Sequence, residues 1–290
     1  MATKAKSSTD IAVAPEAEEN RNLPSTDVID MSDYAGMGRE ETRAEDYSIP
    51  FLRILQKGSP EVDESEGKYI KDAKPGDFLN TVSNHVYSGK VGLKMIPCLF
   101  HREYVEWVPR DKGGGFVANY QSDDPIVATA KAGGGKNKFD LMLPNGNQLV
   151  DTYYMYVMCG TPDGDVFQAV LSFTSTQTKK VRKWNSLQGQ KRLDVGNGRI
   201  LSDPPSFAFY YHVTTVGEKN DLGTWYGWHV DDLPKPGNQV PAAEFREALQ
   251  FYKQVKSGGV KRAAEVSDDA AAGDSDYIPG YEGQDDKSAF

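Results

Sequence analysis

The 290-residue chain has little cysteine and histidine and no long apolar run. Its two cysteines, Cys98 and Cys159, each lie in an apolar stretch, so we expect buried thiols in a reducing compartment rather than a disulfide. The four histidines lie far apart, at no spacing typical of metal ligands, and we expect no metal and no cofactor. The absence of any run of about eighteen apolar residues excludes a membrane-spanning helix. The basic N-terminus leads into polar residues and does not resemble a signal peptide, so we expect a cytoplasmic protein with no membrane partner.

Motifs of the common enzyme classes are also missing. Lys136 follows three glycines, but the spacing of the earlier glycine and the following Asn137 do not match a phosphate-binding P-loop. The chain contains no Gly-x-Ser-x-Gly nucleophile elbow. Asp163 and Asp165 fit a turn better than a metal-nuclease site. We therefore expect a protein that is not an enzyme.

Negative charge is concentrated at the two ends of the chain. The formal net charge is -9, but residues 50–264 carry 27 lysines and arginines against 23 acidic residues. Residues 1–49 have 5 basic and 11 acidic residues, and residues 265–290 have one lysine and 8 acidic residues. The acidic overall balance thus hides a mildly positive central part, and partner choice follows such local charge.

This distribution and the composition together indicate three parts. Residues 1–47 hold few large apolar side chains and predict a disordered acidic N-terminal arm. Residues 48–260 predict a β-rich nucleic-acid-binding domain, and residues 261–290 predict a disordered acidic tail. Seven strands are predicted in the domain from runs of β-branched and aromatic residues between turn signals: 78–87, 91–100, 103–108, 148–158, 166–173, 206–215 and 224–230. Helices are predicted over 176–187 and 242–255.

The expected fold class is mainly β with few helices. Many short strands with a helix among them, in a domain of this size, favour an OB-like β-barrel with elaborated loops. A β-sandwich gives the same strand pattern, because periodicity reports strands and does not report how a sheet closes.

A basic helix carries the strongest functional signal. Its side chains are expected to offer cations to phosphates and an indole ring to a base: Lys179, Lys180, Arg182, Lys183 and Trp184, followed by Lys191 and Arg192. The alternative is a solvated helix face whose tryptophan packs inward.

Two glycine-containing loops add further cations. Trp107 precedes Arg110 and Lys112, and Lys131 precedes Lys136 and Lys138 on the far side of a glycine run. Such loops either close over a polyanion or are plain solvated connections. Three aromatic residues in strands, Tyr154, Tyr226 and Trp228, are candidates for stacking on bases, with a core role as the alternative.

The acidic end contains Asp268, Asp269, Asp274 and Asp276, then Asp285 and Asp286, and ends in Phe290. A polyanion tethered beside a cationic surface competes with nucleic acid for that surface. This order of a β-rich body and an acidic tail with a terminal Phe resembles the single-stranded DNA-binding proteins of bacteria and short-tailed phages. The resemblance implies DNA binding without sequence preference in replication or recombination. It also implies that Asp285, Asp286 and Phe290 recruit replication or recombination proteins.

Two other functions fit a strand-rich body with polar arms. One is a virion structural or scaffold protein, and the other is an annealing recombinase. Single-stranded DNA is the expected main partner, a homo-oligomer is compatible with the sequence, and a phage-encoded protein of this kind would act in the host cytoplasm.

Overall fold

A computed structural model of the chain describes Tyr34 and residues 36–43, 46–109, 112–133, 141–221, 223–234 and 237–262. The chain divides into two compact units, Met1–Thr42 and Arg43–Phe290. The described residues of the first unit form turns. All strands and α-helices below belong to the second unit. Most of the predicted N-terminal arm and nearly all of the predicted tail lie outside the described residues.

The described residues form fourteen strands and three α-helices. The strands are β1 (Ser48–Ile49), β2 (Leu52–Ile54), β3 (Phe78–Asn80), β4 (Val86–Tyr87), β5 (Leu93–Trp107), β6 (Phe116–Tyr120), β7 (Leu141–Met142), β8 (Gln148–Gly160), β9 (Val166–Phe173), β10 (Leu193–Asp194), β11 (Ile200–Leu201), β12 (Tyr211–Asn220), β13 (Gly223–Asp232) and β14 (Lys261–Arg262). The helices are α1 (Pro125–Ala132), α2 (Thr178–Gly189) and α3 (Ala242–Lys256). The mainly-β class expected from the sequence is confirmed.

One antiparallel sheet organises the domain. Its strand order is β13-β12-β5-β8-β7, with β6 also paired to β5 and β9 also paired to β8. The long strands β5 and β8 pair from Lys94 opposite Gly160 to Trp107 opposite Gln148. A smaller sheet, β2-β3-β4, and the parallel pair β1-β14 are separate from this sheet. The cores described below form on the two faces of these central strands.

The predicted barrel is not closed by strand pairing within the described residues. No ladder joins β9 to β13 there, although the indole Nε1 of Trp228 donates to the carbonyl of Ser172 at 3.2 Å. Phe51 makes one isolated parallel bridge to Val170 of β9. Among the described residues a side-chain hydrogen bond, and no continuous ladder, thus connects the β9 and β13 edges of the sheet, while the bridge from Phe51 joins β9 to a segment outside this sheet.

Strand β8 is buried on both faces, which explains its unbroken apolar sequence from Tyr153 to Cys159. The first face carries Tyr153 and Met155, which belong to a core that includes residues of α2 and of β2 and β3. The second face carries Tyr154 and Tyr156, which pack in a second core with α3. Both alternating aromatic sets of β8 are therefore buried, and the core alternative is the correct one for Tyr154.

Further along β5 and β8, α1 forms a third core on the first face. Val127 of α1 packs there with Tyr104 of β5 and Leu149 of β8. Two helices, α2 and α1, thus cover successive stretches of the first face. The sheet between them carries Phe100 and Arg102, and this stretch holds the candidate site.

Both cysteines are free and buried. Cys159 belongs to the first core and Cys98 to the second, so the two side chains serve different layers. Burial raises the pKa of Cys98 to about 12, which keeps its thiol protonated near neutral pH. The prediction of buried thiols is confirmed.

Candidate nucleic-acid interface

Helix α2 carries its exposed basic side chains and its buried apolar side chains on different sides. Lys179, Arg182 and Lys183 are exposed, whereas Val181 and Trp184 are buried. The i, i+3 and i+4 spacing of the three cations puts them on one side of the helix. This side is the only part of the predicted basic helix that presents several cations together among the described residues.

Trp184 is a core residue and not a stacking platform. Its side chain is 0% exposed, and its ring makes an edge contact with Tyr211 at a centroid distance of 5.7 Å. A base cannot reach a ring that the protein covers on all sides. The inward-packing alternative is therefore the correct interpretation of this tryptophan.

Several predicted phosphate ligands already have partners. The ammonium of Lys180 lies 2.5 Å from the carboxylate of Glu218. Lys191 is buried, pairs with Asp232 and lies over the rings of Phe209 and Tyr211. Because Lys191 is buried and paired with Asp232, it has a structural role, and its assignment as a DNA ligand is wrong. Lys183 and Arg192 remain exposed but donate to backbone carbonyls, Lys183 at 3.3 Å to that of Val230 and Arg192 at 2.8 Å to that of Lys191.

The three aromatic candidates in the strands are buried or half-buried. Trp228 is 1% exposed and stacks on Phe78 at 5.3 Å. Tyr154 is 6% exposed and lies under the guanidinium of Arg262 at 4.2 Å. Tyr226 is half-buried against the first core. The stacking roles predicted for Trp228 and Tyr154 are wrong because their rings are covered.

Of the loop candidates, Trp107, Lys112 and Lys131 fall in the described part of the chain, and Lys131 lies at the end of α1 rather than in a loop. Trp107 is half-buried and makes an edge contact with Phe116 at 5.9 Å, while Lys112 is exposed. The other predicted ligands lie outside the described residues: Arg110, Lys136, Lys138, Asp285, Asp286 and Phe290.

A different set of cations and rings converges on the first face between α2 and α1. We call it the Arg102 cluster, and it consists of Phe100, Arg102, Tyr104, Lys131, Asp151, Tyr153 and Arg182. Strand pairing brings Arg102 opposite Tyr153 and Tyr104 opposite Asp151, so these four side chains share one face. Arg182 reaches them from α2 and Lys131 from α1. Four elements of the chain therefore meet at this cluster.

Arg102 occupies the centre of the Arg102 cluster. Its Nε donates to one oxygen of Asp151 at 2.8 Å and its Nη2 donates to the other at 2.7 Å. Nη2 also lies 3.1 Å from the hydroxyl of Tyr104, and the guanidinium carbon lies 4.9 Å from the ring centroid of Tyr153. The hydrogen bonds to Asp151 raise the pKa of Arg102, so the guanidinium is charged at all accessible pH values.

The two flanking cations contact rings instead of carboxylates. Arg182 donates from Nη2 to the hydroxyl of Tyr153 at 3.0 Å, and the ammonium of Lys131 lies 4.7 Å above the ring of Tyr104. Neither forms an ion pair within the described part of the chain. Three cations against one carboxylate leave the Arg102 cluster positive. This surplus is available to a polyanion.

Phe100 completes the cluster with an accessible ring. It lies 5.9 Å from Tyr153 between ring centroids and is 39% exposed. An exposed ring beside cations offers stacking to a base and charge to the backbone of a nucleic acid. The sequence singled out Arg182 and Lys131 but missed Phe100 and Arg102. Their signal was a Phe-x-Arg-x-Tyr alternation that crosses the gap between the predicted strands 91–100 and 103–108, and only the pairing with β8 makes it informative.

The described residues contain no group of His, Cys, Asp and Glu side chains arranged to hold a metal ion. None of the described helices has the length and apolar character needed to cross a membrane.

No curated protein and no solved structure gives a significant match to the chain. A protein-family model described as Pam3 phage gp34-like protein matches residues 17–261. This match covers well over half of the chain, and the protein therefore belongs to the Pam3 phage gp34-like family of phage proteins.

Proposed function

We propose that this phage protein binds single-stranded DNA without sequence preference at the Arg102 cluster, in DNA replication or recombination. The observation that carries the proposal is the convergence of Arg102, Arg182 and Lys131 on two tyrosine rings beside the exposed ring of Phe100. Cations that track a backbone and rings that receive bases are the two parts of a sequence-tolerant single-strand site. The proposed role is binding and not catalysis.

The charges of α2 extend this surface. Lys179 lies one helical turn before Arg182 on the exposed side of the helix, and both lack a carboxylate partner among the described residues. Each cation that neutralises a phosphate of a single strand contributes about 0.7 to the slope of log affinity against log salt. Binding that depends on Lys179, Arg182 and Lys131 is therefore expected to weaken steeply with salt.

The chain path supports the same proposal. Strands β5, β8 and β9 are consecutive neighbours, α2 follows, and β12 and β13 then pair with each other and return to β5. We regard this as a partly open barrel of the oligonucleotide-binding type, whose loops after its first strand take part in ligand binding. In this chain the connection between β5 and β8 contains α1 and Lys131.

The acidic segment after the domain has a part in the proposal. Residues 265–290 carry eight acidic side chains and one lysine, so they compete with DNA for the cationic surface. Displaced by DNA, this segment recruits replication or recombination proteins through Asp285, Asp286 and Phe290. The protein would act in the cytoplasm of the infected host cell.

The test is fluorescence anisotropy of a labelled oligo-dT titrated with the full chain in dilute buffer. Arg182→Ala is expected to weaken binding several-fold and to lower the salt slope by about 0.7. The matched control is Arg246→Ala, an exposed arginine on α3, which covers the opposite face of the sheet. Oligo-dA of the same length is expected to bind with similar affinity.

Two outcomes overturn the proposal. If the wild-type chain ignores oligonucleotides in dilute buffer, the function as a virion structural or scaffold protein is favoured. If Arg246→Ala weakens binding as much as Arg182→Ala, DNA binds elsewhere on the domain. If electron microscopy shows that the protein assembles into ring-shaped oligomers on DNA, the function as an annealing recombinase is favoured.

A further inference from the structure

Arg102 is held in a way that suits a base better than a phosphate. Three of its five N–H groups are committed, two to Asp151 and one to the hydroxyl of Tyr104. The bidentate pair fixes the guanidinium plane as well as its position. What the residue offers to a ligand is therefore mainly its flat face.

The guanidinium lies beside the rings of Tyr153 and Tyr104 and is partly open to solvent. The ring of Tyr153 is buried and lies 4.9 Å from the guanidinium carbon, while the side chain of Arg102 is 39% exposed. Tyr153 is therefore shielded from a ligand, whereas the Arg102 side chain beside it is accessible. A guanidinium plane stacks on aromatic faces, so a nucleobase is a suitable occupant of the open side.

Phe100 provides a second flat surface on the same strand. Residues two apart on a strand point to the same face and are about 7 Å apart. Neighbouring bases on one strand of a duplex are separated by about 3.4 Å. Bases placed on Phe100 and Arg102 are therefore pulled apart from each other, as in an extended single strand.

We infer that Phe100 and Arg102 form a floor that takes the bases of an extended single strand, while Arg182 and Lys131 take its phosphates. This inference rests on the proposed function and names how the same site recognises its ligand. Bases that face the sheet must be unpaired, because a duplex hides its base faces in its own stack. The site consequently selects single strands over duplexes.

Asp151 is the positioning residue of this arrangement. It touches no ligand, but its two oxygens hold both donors of the Arg102 fork. Asp151→Asn removes one acceptor and the charge, which frees the guanidinium to turn its N–H groups toward phosphates. The variant is expected to lose preference for bases while gaining net positive charge.

The experiment compares a labelled oligo-dT with an abasic sugar-phosphate oligomer of equal length, titrated with the full chain. Removal of a stacking side chain is expected to weaken oligo-dT binding about 5-fold or more. Arg102→Ala should show this loss and leave the abasic affinity within about 2-fold. Arg182→Ala should weaken both ligands by similar factors. Asp151→Asn should lower the ratio of oligo-dT to abasic affinity, and Arg246→Ala should change neither.

Arg102→Lys guards against a folding defect in the alanine variant, because it keeps the charge and removes the plane. It is expected to behave like Arg102→Ala toward oligo-dT. The inference is overturned if Arg102→Lys binds oligo-dT as the wild type does, or if Arg102→Ala weakens both ligands equally. Failure of the wild-type chain to bind either ligand would instead reject the proposed function, so the two failures are distinguishable.

Discussion

The side-chain amide of Gln56 pairs with both backbone groups of Tyr226. Its Nε2 donates to the Tyr226 carbonyl at 2.9 Å, and its Oε1 accepts from the Tyr226 N–H at 2.8 Å. Tyr226 lies in β13, whose other edge pairs with β12. One glutamine thus replaces a neighbouring strand at this position and connects the segment after β2 to the edge of the main sheet.

Gln56→Ala should destabilise the domain, because it leaves a part-buried N–H and C=O of β13 without their partner. The expected loss is about 1–3 kcal/mol in the free energy of unfolding, measured by urea denaturation. Gln168→Ala, an exposed glutamine on β9, is the control and should change stability by less than about 0.5 kcal/mol. Equal effects of the two substitutions would show that the Gln56 pair contributes nothing.

Trp184→Ala should destabilise the domain strongly, because the indole fills the first core beside Tyr211. The expected loss is about 3–5 kcal/mol. Trp184→Phe keeps most of the volume, and the indole nitrogen has no partner to lose among the described residues, so this variant should fold. Its affinity for oligo-dT should equal that of the wild type. A large loss of affinity for oligo-dT in folded Trp184→Phe would indicate that Trp184 contacts DNA.

The long helix α3 and the short helix α1 differ in how well the sequence predicts them. Helix α3 was predicted over 242–255 and spans Ala242–Lys256, since its apolar stripe repeats over several turns. The short helix α1 was missed, although Asp124 before Pro125 is a usable start signal, and its side chain does accept from the N–H of Ile126 at 2.9 Å. Eight residues give too few apolar repeats for periodicity to indicate a helix.

The site was harder to predict than the elements. An alternating strand does not reveal which face is covered, and here α2 and α3 cover both faces of β8. Tyr154 and Trp228 were therefore candidates for stacking, with a core role as the alternative, and both belong to cores. Arg102 joins the site only because Tyr153 lies opposite it in the register with β8, which no single strand encodes.

Acid should weaken the domain through Glu103. Its carboxylate is buried and pairs with Arg262 at 2.6 Å and with His101 at 3.1 Å. Burial alone raises the pKa of Glu103, but the hydrogen bond from His101 and the charge of Arg262 outweigh it and lower the pKa below 4.5. A lowered pKa contributes stability at pH values above 4.5 that is lost as the pH falls through the folded-state pKa.

Glu103→Gln should therefore cost stability at neutral pH and flatten the acid dependence. The substitution removes the charge of a buried carboxylate that pairs with Arg262 and His101, at an expected cost of about 3–5 kcal/mol. Urea denaturation at a series of pH values between neutrality and acid measures both effects. Glu247→Gln, exposed on α3, is the matched control and should keep the wild-type pH profile. If wild type and Glu103→Gln lose the same free energy of unfolding below pH 4.5, this role for Glu103 is contradicted.

Removing the acidic segment should tighten DNA binding. A chain cut after Ala264 keeps Arg262 and its contact with Glu103, so β14 remains anchored while the eight acidic residues are lost. The affinity for oligo-dT should rise several-fold in dilute buffer and the difference should shrink with added salt, because salt screens the competing charges. A full-length variant with those acids changed to Asn and Gln separates charge from length, and it should match the truncated chain. Unchanged or weaker binding by both variants would show that the acidic segment does not compete with DNA. The role of the Arg102 cluster is tested separately, by its own substitutions.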